Sequence, residues 1–125
     1  MSDAPVRLSI QQFAVRVGLS AHTLRYYEKI GLLRHVVRDA SGFRVYGPRD
    51  LEWIAFILRL KDTGMALEDI IRYADLRERG DSTLTARQAL LESHAAKLQE
   101  RLVRDREHLD ALHMKIERYR QQTSA

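Results

Sequence analysis

Five side chains near the start of the chain, His22, Thr23, Arg25, Tyr26 and Lys29, carry hydrogen-bond donors at helical spacing. None of them builds an apolar core, and together they suit an anion, above all a phosphate backbone. The chemistry this offers is recognition. The 125 residues contain no cysteine, which removes disulfides, thiolate metal sites and thiol nucleophiles together. There is also no glycine-rich phosphate loop after a strand, no set of residues at metal-ligand spacing and no nucleophile beside a histidine. His94, His108 and His113 recur at spacings that put no two adjacent on one helix face, so they read as solvated helix positions. No enzyme, cofactor or metal is expected.

The donors need a helix to hold them. Ser20 is a good N-cap, Gly31 stands where a left-handed residue ends a helix, and Leu24, Tyr27, Ile30 and Leu32 turn one face inward. Before it, Ser9-Ile10-Gln11-Gln12 has capping-box form and opens a helix with apolar positions Ile10, Phe13, Ala14 and Val17. Gly18-Leu19-Ser20 turns the chain between the two. Helix, short glycine turn, helix is the pattern of a helix-turn-helix, whose second helix enters the major groove, and equally of a plain helical hairpin in a core.

Val36-Val37 and Phe43-Arg44-Val45-Tyr46 are β-prone runs around a turn at Ser41-Gly42. Alternation would pack Phe43 and Val45 on the helices and present Arg44 and Tyr46 outward. Such a hairpin is a wing beside the DNA-reading helix, or else a cover for the core. Pro48 opens a third helix through Lys61, apolar on more than one face and so buried between neighbours, and Gly64 ends it. A fourth helix from Leu67 stops before Gly80, with Ala66 as a poor N-cap costing about 1 kcal/mol.

From a capping box at Thr85-Ala86-Arg87-Gln88 to about Arg120 the chain has neither glycine nor proline. Leu91, Ala95, Leu98, Leu102, Asp105, Leu109, Leu112, Ile116 and Tyr119 follow at alternating spacings of four and three. This narrow stripe is a coiled-coil seam, interrupted at Asp105, and the simplest partner is a second copy. Whether the two strands run parallel or antiparallel is not readable from it.

Charge is concentrated at one end. Residues 1–50 hold eight Lys/Arg against four Asp/Glu, which is the whole net charge of +4, so the part facing a polyanion is the first fifty residues. Length and composition fit one compact domain with an extension: a DNA-binding domain over 1–80 and a dimerisation helix over 81–125. No apolar run reaches membrane-span length and Met1-Ser2-Asp3 does not begin a signal peptide, so a cytoplasmic protein with no membrane partner is expected.

Three stretches resemble the MerR-type transcriptional regulators. Thr23-Leu24-Arg25-Tyr26-Tyr27-Glu28-Lys29-Ile30-Gly31-Leu32-Leu33 is similar to that family's recognition helix, Ser41-Gly42-Phe43-Arg44-Val45-Tyr46 to its wing, and Gly64-Met65-Ala66-Leu67-Glu68-Asp69-Ile70 to its fourth helix. The resemblance implies a mainly α fold: a winged helix-turn-helix followed by a long dimerisation helix in an antiparallel coiled coil. It places Thr23, Arg25, Tyr26 and Tyr27, then Arg44 and Tyr46, then Lys61, where family members touch DNA; Tyr27 also lies on the inward face. The dimer seam would use Leu91, Leu98, Leu102, Leu109, Leu112 and Ile116.

It further implies a homodimer on a pseudo-palindromic promoter spacer, distorting double-stranded DNA for RNA polymerase. An architectural DNA-bending protein of excisionase type shares the winged helix but needs no dimer helix, and a simple roadblock repressor is the other alternative. Trp53-Ile54-Ala55-Phe56-Ile57, Gly80-Asp81 and Ala86-Arg87 look closest to the small aldehyde-stress branch. That branch senses through a thiol on the third helix, where this chain has Arg59.

Overall fold

Ser9 ends one element and starts the next. In the computed structural model, which describes residues 7–124, strand β1 (Leu8–Ser9) leads directly into helix α1 (Ile10–Val17); Met1-Ser2-Asp3 lies outside the described residues. The Ser9 hydroxyl accepts the Gln12 amide at 3.2 Å and the Gln12 side chain accepts the Ser9 amide at 2.9 Å, a complete capping box. Helix α2 (Ala21–Lys29) begins after Ser20, whose hydroxyl accepts the Thr23 amide at 3.0 Å. Its far end closes with the Gly31 amide donating to the Glu28 carbonyl and the Leu32 amide to the Tyr27 carbonyl, at 3.3 and 2.8 Å. That pair of bonds needs a left-handed residue between them, and Gly31 supplies it at φ +89°.

Strands β2 (Val37–Arg38) and β3 (Arg44–Tyr46) form the expected hairpin, but β3 is the centre of a three-stranded antiparallel sheet. Leu8 lies opposite Tyr46 and Ser9 opposite Val45 on one side; Val37 lies opposite Val45 on the other. Strand β1 is absent from the sequence reading because two residues show no alternation.

Pairing with β1 also inverts the facing expected of β3. Tyr46 is 1% exposed, its ring stacked on Phe13 at 4.3 Å and 6°, whereas Phe43 is 70% exposed. Arg44 and Tyr46 share the face that looks toward the helices, so the expectation of an outward phenol at Tyr46 is corrected: a one-residue change of phase moves every side chain of a strand to the other face.

Helix α3 (Pro48–Asp62) packs against α1 and against α4 (Leu67–Glu78) and buries Ile54, Ile57 and Leu60. The Asp50 carboxylate accepts the Gly47 amide at 2.9 Å at its start, and Ala66 before α4 makes no side-chain cap. Phe13, Leu24, Leu32, Leu33, Ile54 and Ile70 are among the largest fully buried side chains of the core. The Trp53 indole donates to the Leu32 carbonyl at 2.6 Å, tying α3 to the exit of α2.

The expected capping box at Thr85 does not form. Gly80 ends α4, a 3-10 turn follows at Asp81–Thr83, and helix α5 (Leu84–Thr123) has already begun when Thr85 is reached. Thr83 takes the anchoring role instead: it is buried, its hydroxyl proton lies between the Leu76 and Gly80 carbonyls, and its oxygen accepts Arg87 Nε at 3.1 Å.

The chain divides into two compact units between Arg87 and Gln88. Helix α5 is 40 residues long, about 60 Å, and has no buried residue. Leu102, Leu109, Leu112, Ile116 and Tyr119 are all exposed along it. Among the described residues no helix is long and apolar enough to cross a membrane.

Candidate nucleic-acid interface

Helix α2 is short and its two faces separate cleanly. Leu24 and Tyr27 are buried and hold α2 on the core, while His22, Arg25, Tyr26 and Lys29 are exposed. Thr23 is half-buried at the helix start, its hydroxyl accepting that of Ser20 at 2.9 Å. Arg25 makes no ion pair among the described residues, so its guanidinium faces solvent with its donors unspent.

The wing is braced against this helix. Asp39 Oδ1 accepts the amides of Ser41 and Phe43 at 2.9 and 3.0 Å, which shapes the tip, and Arg38 Nη1 donates to the Gly42 carbonyl at 3.0 Å. Arg44 Nε donates to Glu28 Oε2 at 2.7 Å, with Arg38 Nη2 4.0 Å from the other oxygen. Glu28 lies between two wing arginines; the sequence reading passes over it because its partners are ten and sixteen residues away.

Between α2, β1 and the wing lies a groove of about 410 Å³. Arg7, Arg25, Arg38 and Arg44 line it, with Asp39 as the one acid in its wall. A concentration of guanidinium groups beside an exposed donor helix is the electrostatic footprint of a phosphate-binding surface.

The remaining candidates fall in two places. The Lys61 side chain is exposed at the C-terminal end of α3, Nζ 3.3 Å from the Tyr27 hydroxyl, so the buried Tyr27 ring brings its polar tip beside a surface cation. Tyr46 is not brought to the surface. Its hydroxyl is buried and meets no hydrogen-bond partner among the described residues. Burial first, then the Glu28 carboxylate, pushes its phenol above the ordinary value of 10.0. The aromatic ring that the wing exposes is Phe43, and the signal that would have found it is the phase of β3, set by its pairing with β1 and the stacking of Tyr46 on Phe13.

Of the seam residues, Leu102, Leu109, Leu112 and Ile116 are exposed, and Leu91 and Leu98 half-buried. The ion pairs of Arg106 with Asp110 at 3.5 Å and of Arg120 with Glu117 at 3.7 Å are local to α5 and add little stability. Among the described residues no three His, Asp or Glu side chains gather where they would hold a metal ion.

A family model described as MerR HTH family regulatory protein matches residues 8–76, and one described as MerR, DNA binding matches residues 51–113. An HTH-type transcriptional regulator of Haemophilus influenzae is 39% identical over 106 residues, 85% of this chain and 78% of that one. AdhR, an HTH-type transcriptional regulator of Bacillus subtilis, is 41% identical over 91 residues, 73% of this chain; the match spans 65% of AdhR, just under two thirds of its length. Among solved structures, HiNmlR, a MerR family regulator lacking the sensor domain and bound to promoter DNA, superposes with a TM-score of 0.86 at 34% identity, over 96% of this chain and 95% of that one.

Proposed function

The chain belongs to the MerR family of DNA-binding transcriptional regulators, and from that footing we propose that two copies join through α5 and together read a pseudo-palindromic promoter spacer, one half-site each. Residues 1–80 form the reader and residues 81–125 the dimerisation segment, working in the cytoplasm. In each reader α2 enters the major groove, where Arg25 and Tyr26 reach bases or phosphates and Thr23 a phosphate. Lys61 and the Tyr27 hydroxyl take a flanking phosphate, and Arg44 reaches from the wing. Phe43, in place of Tyr46, is the aromatic side chain that the wing carries to the DNA.

The observation that carries this reading is the arginine-lined groove between α2 and the wing. The exposed stripe on α5 supports the dimer, since a long polar helix gains its stability from a packed apolar face. Leu91, Leu98, Leu102, Leu109, Leu112 and Ile116 form that face, and a two-fold axis makes it self-complementary. The dimer bends and underwinds the spacer so that RNA polymerase engages both promoter elements. Smooth bending of a site of about 20 to 30 bp costs of order 1 to 6 kcal/mol, which contacts from two helices and two wings offset. Arg59, exposed on α3, stands where the aldehyde-stress branch has its thiol, so any inducing signal acts without cysteine chemistry in these residues.

Footprinting on the chain's own promoter tests the reading. Protection of two half-sites related by a dyad, inside the spacer, is the expected result. Protection across the start site instead identifies a roadblock repressor.

A further inference from the structure

Three arginines in the first unit, none of them in an ion pair among the described residues, stand around an aromatic wall. Trp53 and Tyr73 stack across α3 and α4, ring centroids 6.0 Å apart at 15°, and Phe56 leans on Tyr73 at 5.6 Å. The three half-buried rings border a groove of about 410 Å³, within the roughly 300 to 1,000 Å³ of small-molecule pockets. Arg77 lies over the Trp53 ring at 4.1 Å, and Arg49 and Arg87 complete the wall.

Elsewhere in the same unit Arg34, Arg38 and Arg44 each find an acid: Asp75 for the first, Glu28 for the other two. Among the described residues Arg49, Arg77 and Arg87 make no ion pair, although Arg87 holds Thr83 and the Gly80 carbonyl through Nε and Nη2. The one acid in the groove is Glu52, which leaves a local excess of two positive charges.

We propose that this groove binds a small planar anion, an aromatic monocarboxylate, with its ring against Trp53 and Tyr73 and its carboxylate on the arginines. Flat rings with a guanidinium stacked on one of them favour a planar ligand, and forked guanidinium donors match a carboxylate. Glu52 favours one negative charge over several. The groove shares no lining residue with the arginine-lined groove between α2 and the wing. Trp53 nevertheless connects the two: its indole N–H holds the Leu32 carbonyl, and the Leu32 amide closes the end of α2. An effect of the ligand on operator affinity rests on the function proposed above; binding itself does not.

Calorimetry on the free 125-residue chain, with benzoate as the probe, tests the site independently of any DNA. Trp53 is the one tryptophan of the sequence, so its emission reports occupancy directly. The expected result is a saturable benzoate isotherm at or below about 1 mM, with a parallel change in emission. Benzamide, which keeps the ring, and sulfate, which keeps the charge, bind at least about tenfold more weakly. Arg77→Gln and Arg49→Gln, both exposed positions, each lower benzoate affinity by about tenfold while circular dichroism stays unchanged. No benzoate binding, equal binding of benzamide or sulfate, or unaltered affinity in both folded variants overturns the proposal.

Discussion

Arg44 on the wing donates to Glu28 on the recognition helix at 2.7 Å, with both side chains about three-quarters covered. The wing's position is thus fixed against α2, and the Arg44 guanidinium is oriented by that contact. Arg25, by contrast, is held only by the helix backbone that carries it.

Both arginines are therefore expected to matter, in different ways. Arg25→Ala and Arg44→Ala each cost about 1 to 3 kcal/mol of operator binding in a fluorescence-anisotropy titration. Glu28→Gln costs less than Arg44→Ala, because it loosens the wing cation without removing it. If two readers neutralise roughly 6 to 10 phosphates, affinity falls about a thousandfold or more between about 50 and 200 mM salt. Salt-insensitive binding, or unchanged affinity in both alanine variants, contradicts the assignment.

Tyr46 gives a prediction of opposite sign. A buried hydroxyl without a partner costs stability, so Tyr46→Phe leaves the protein as stable or raises its stability by about 1 kcal/mol, and leaves operator affinity unchanged. The alkaline limb of stability separates the two proteins. The phenol's folded pKa lies above 10.0, so the unfolded chain releases its proton first; this contribution to stability is intact below pH 10.0 and is lost as pH rises beyond it. Urea unfolding across that range is expected to fall less steeply in Tyr46→Phe than in the wild type. A large loss of DNA binding in this variant would return Tyr46 to the interface.

Thr83 is expected to be the polar group whose loss hurts the first unit most. Thr83→Val keeps the shape, removes the proton lying between the Leu76 and Gly80 carbonyls, and leaves Arg87 Nε without its acceptor. The cost is about 1 to 3 kcal/mol in thermal or urea unfolding. A neutral substitution would mean that the turn after α4 is held by Gly80 alone.

The proposed seam makes its own demand on the molecule. Leu98→Asp combined with Leu109→Asp puts two carboxylates on the apolar stripe and converts the dimer into a monomer that no longer binds operator. Sedimentation velocity measures it. A wild-type chain that sediments as a monomer at micromolar concentration refutes the dimer.

What was legible in the sequence was what depends on neighbours along the chain. Ser9 with Gln12, Ser20 with Thr23 and the left-handed Gly31 are contacts over three or four residues, and residue type is enough to announce them. The inward face of α2 and the apolar stripe of α5 are periodicities of the same local kind. The facing of Tyr46 is not legible in the strand pattern because it is set with β1, nearly forty residues earlier, and a two-residue strand leaves no pattern. The Thr85 cap failed for a related reason: Thr83 is anchored by Leu76 on the preceding helix. The pairing of Glu28 with the wing and the gathering of Trp53, Tyr73 and Arg77 are likewise products of tertiary packing, which spacing along the chain does not reveal.

The central claim is that a dimer of this chain distorts the promoter spacer it reads, and energy transfer between dyes at the two ends of an operator duplex measures that most directly. Binding of the wild-type protein is predicted to bring the ends together in proportion to dimer occupancy, and the Leu98→Asp, Leu109→Asp double variant to leave them apart. The same operator with its spacer shortened by one or two base pairs is predicted to support strong transcription with no protein present. An operator duplex that is fully bound at unchanged end-to-end distance would contradict the account.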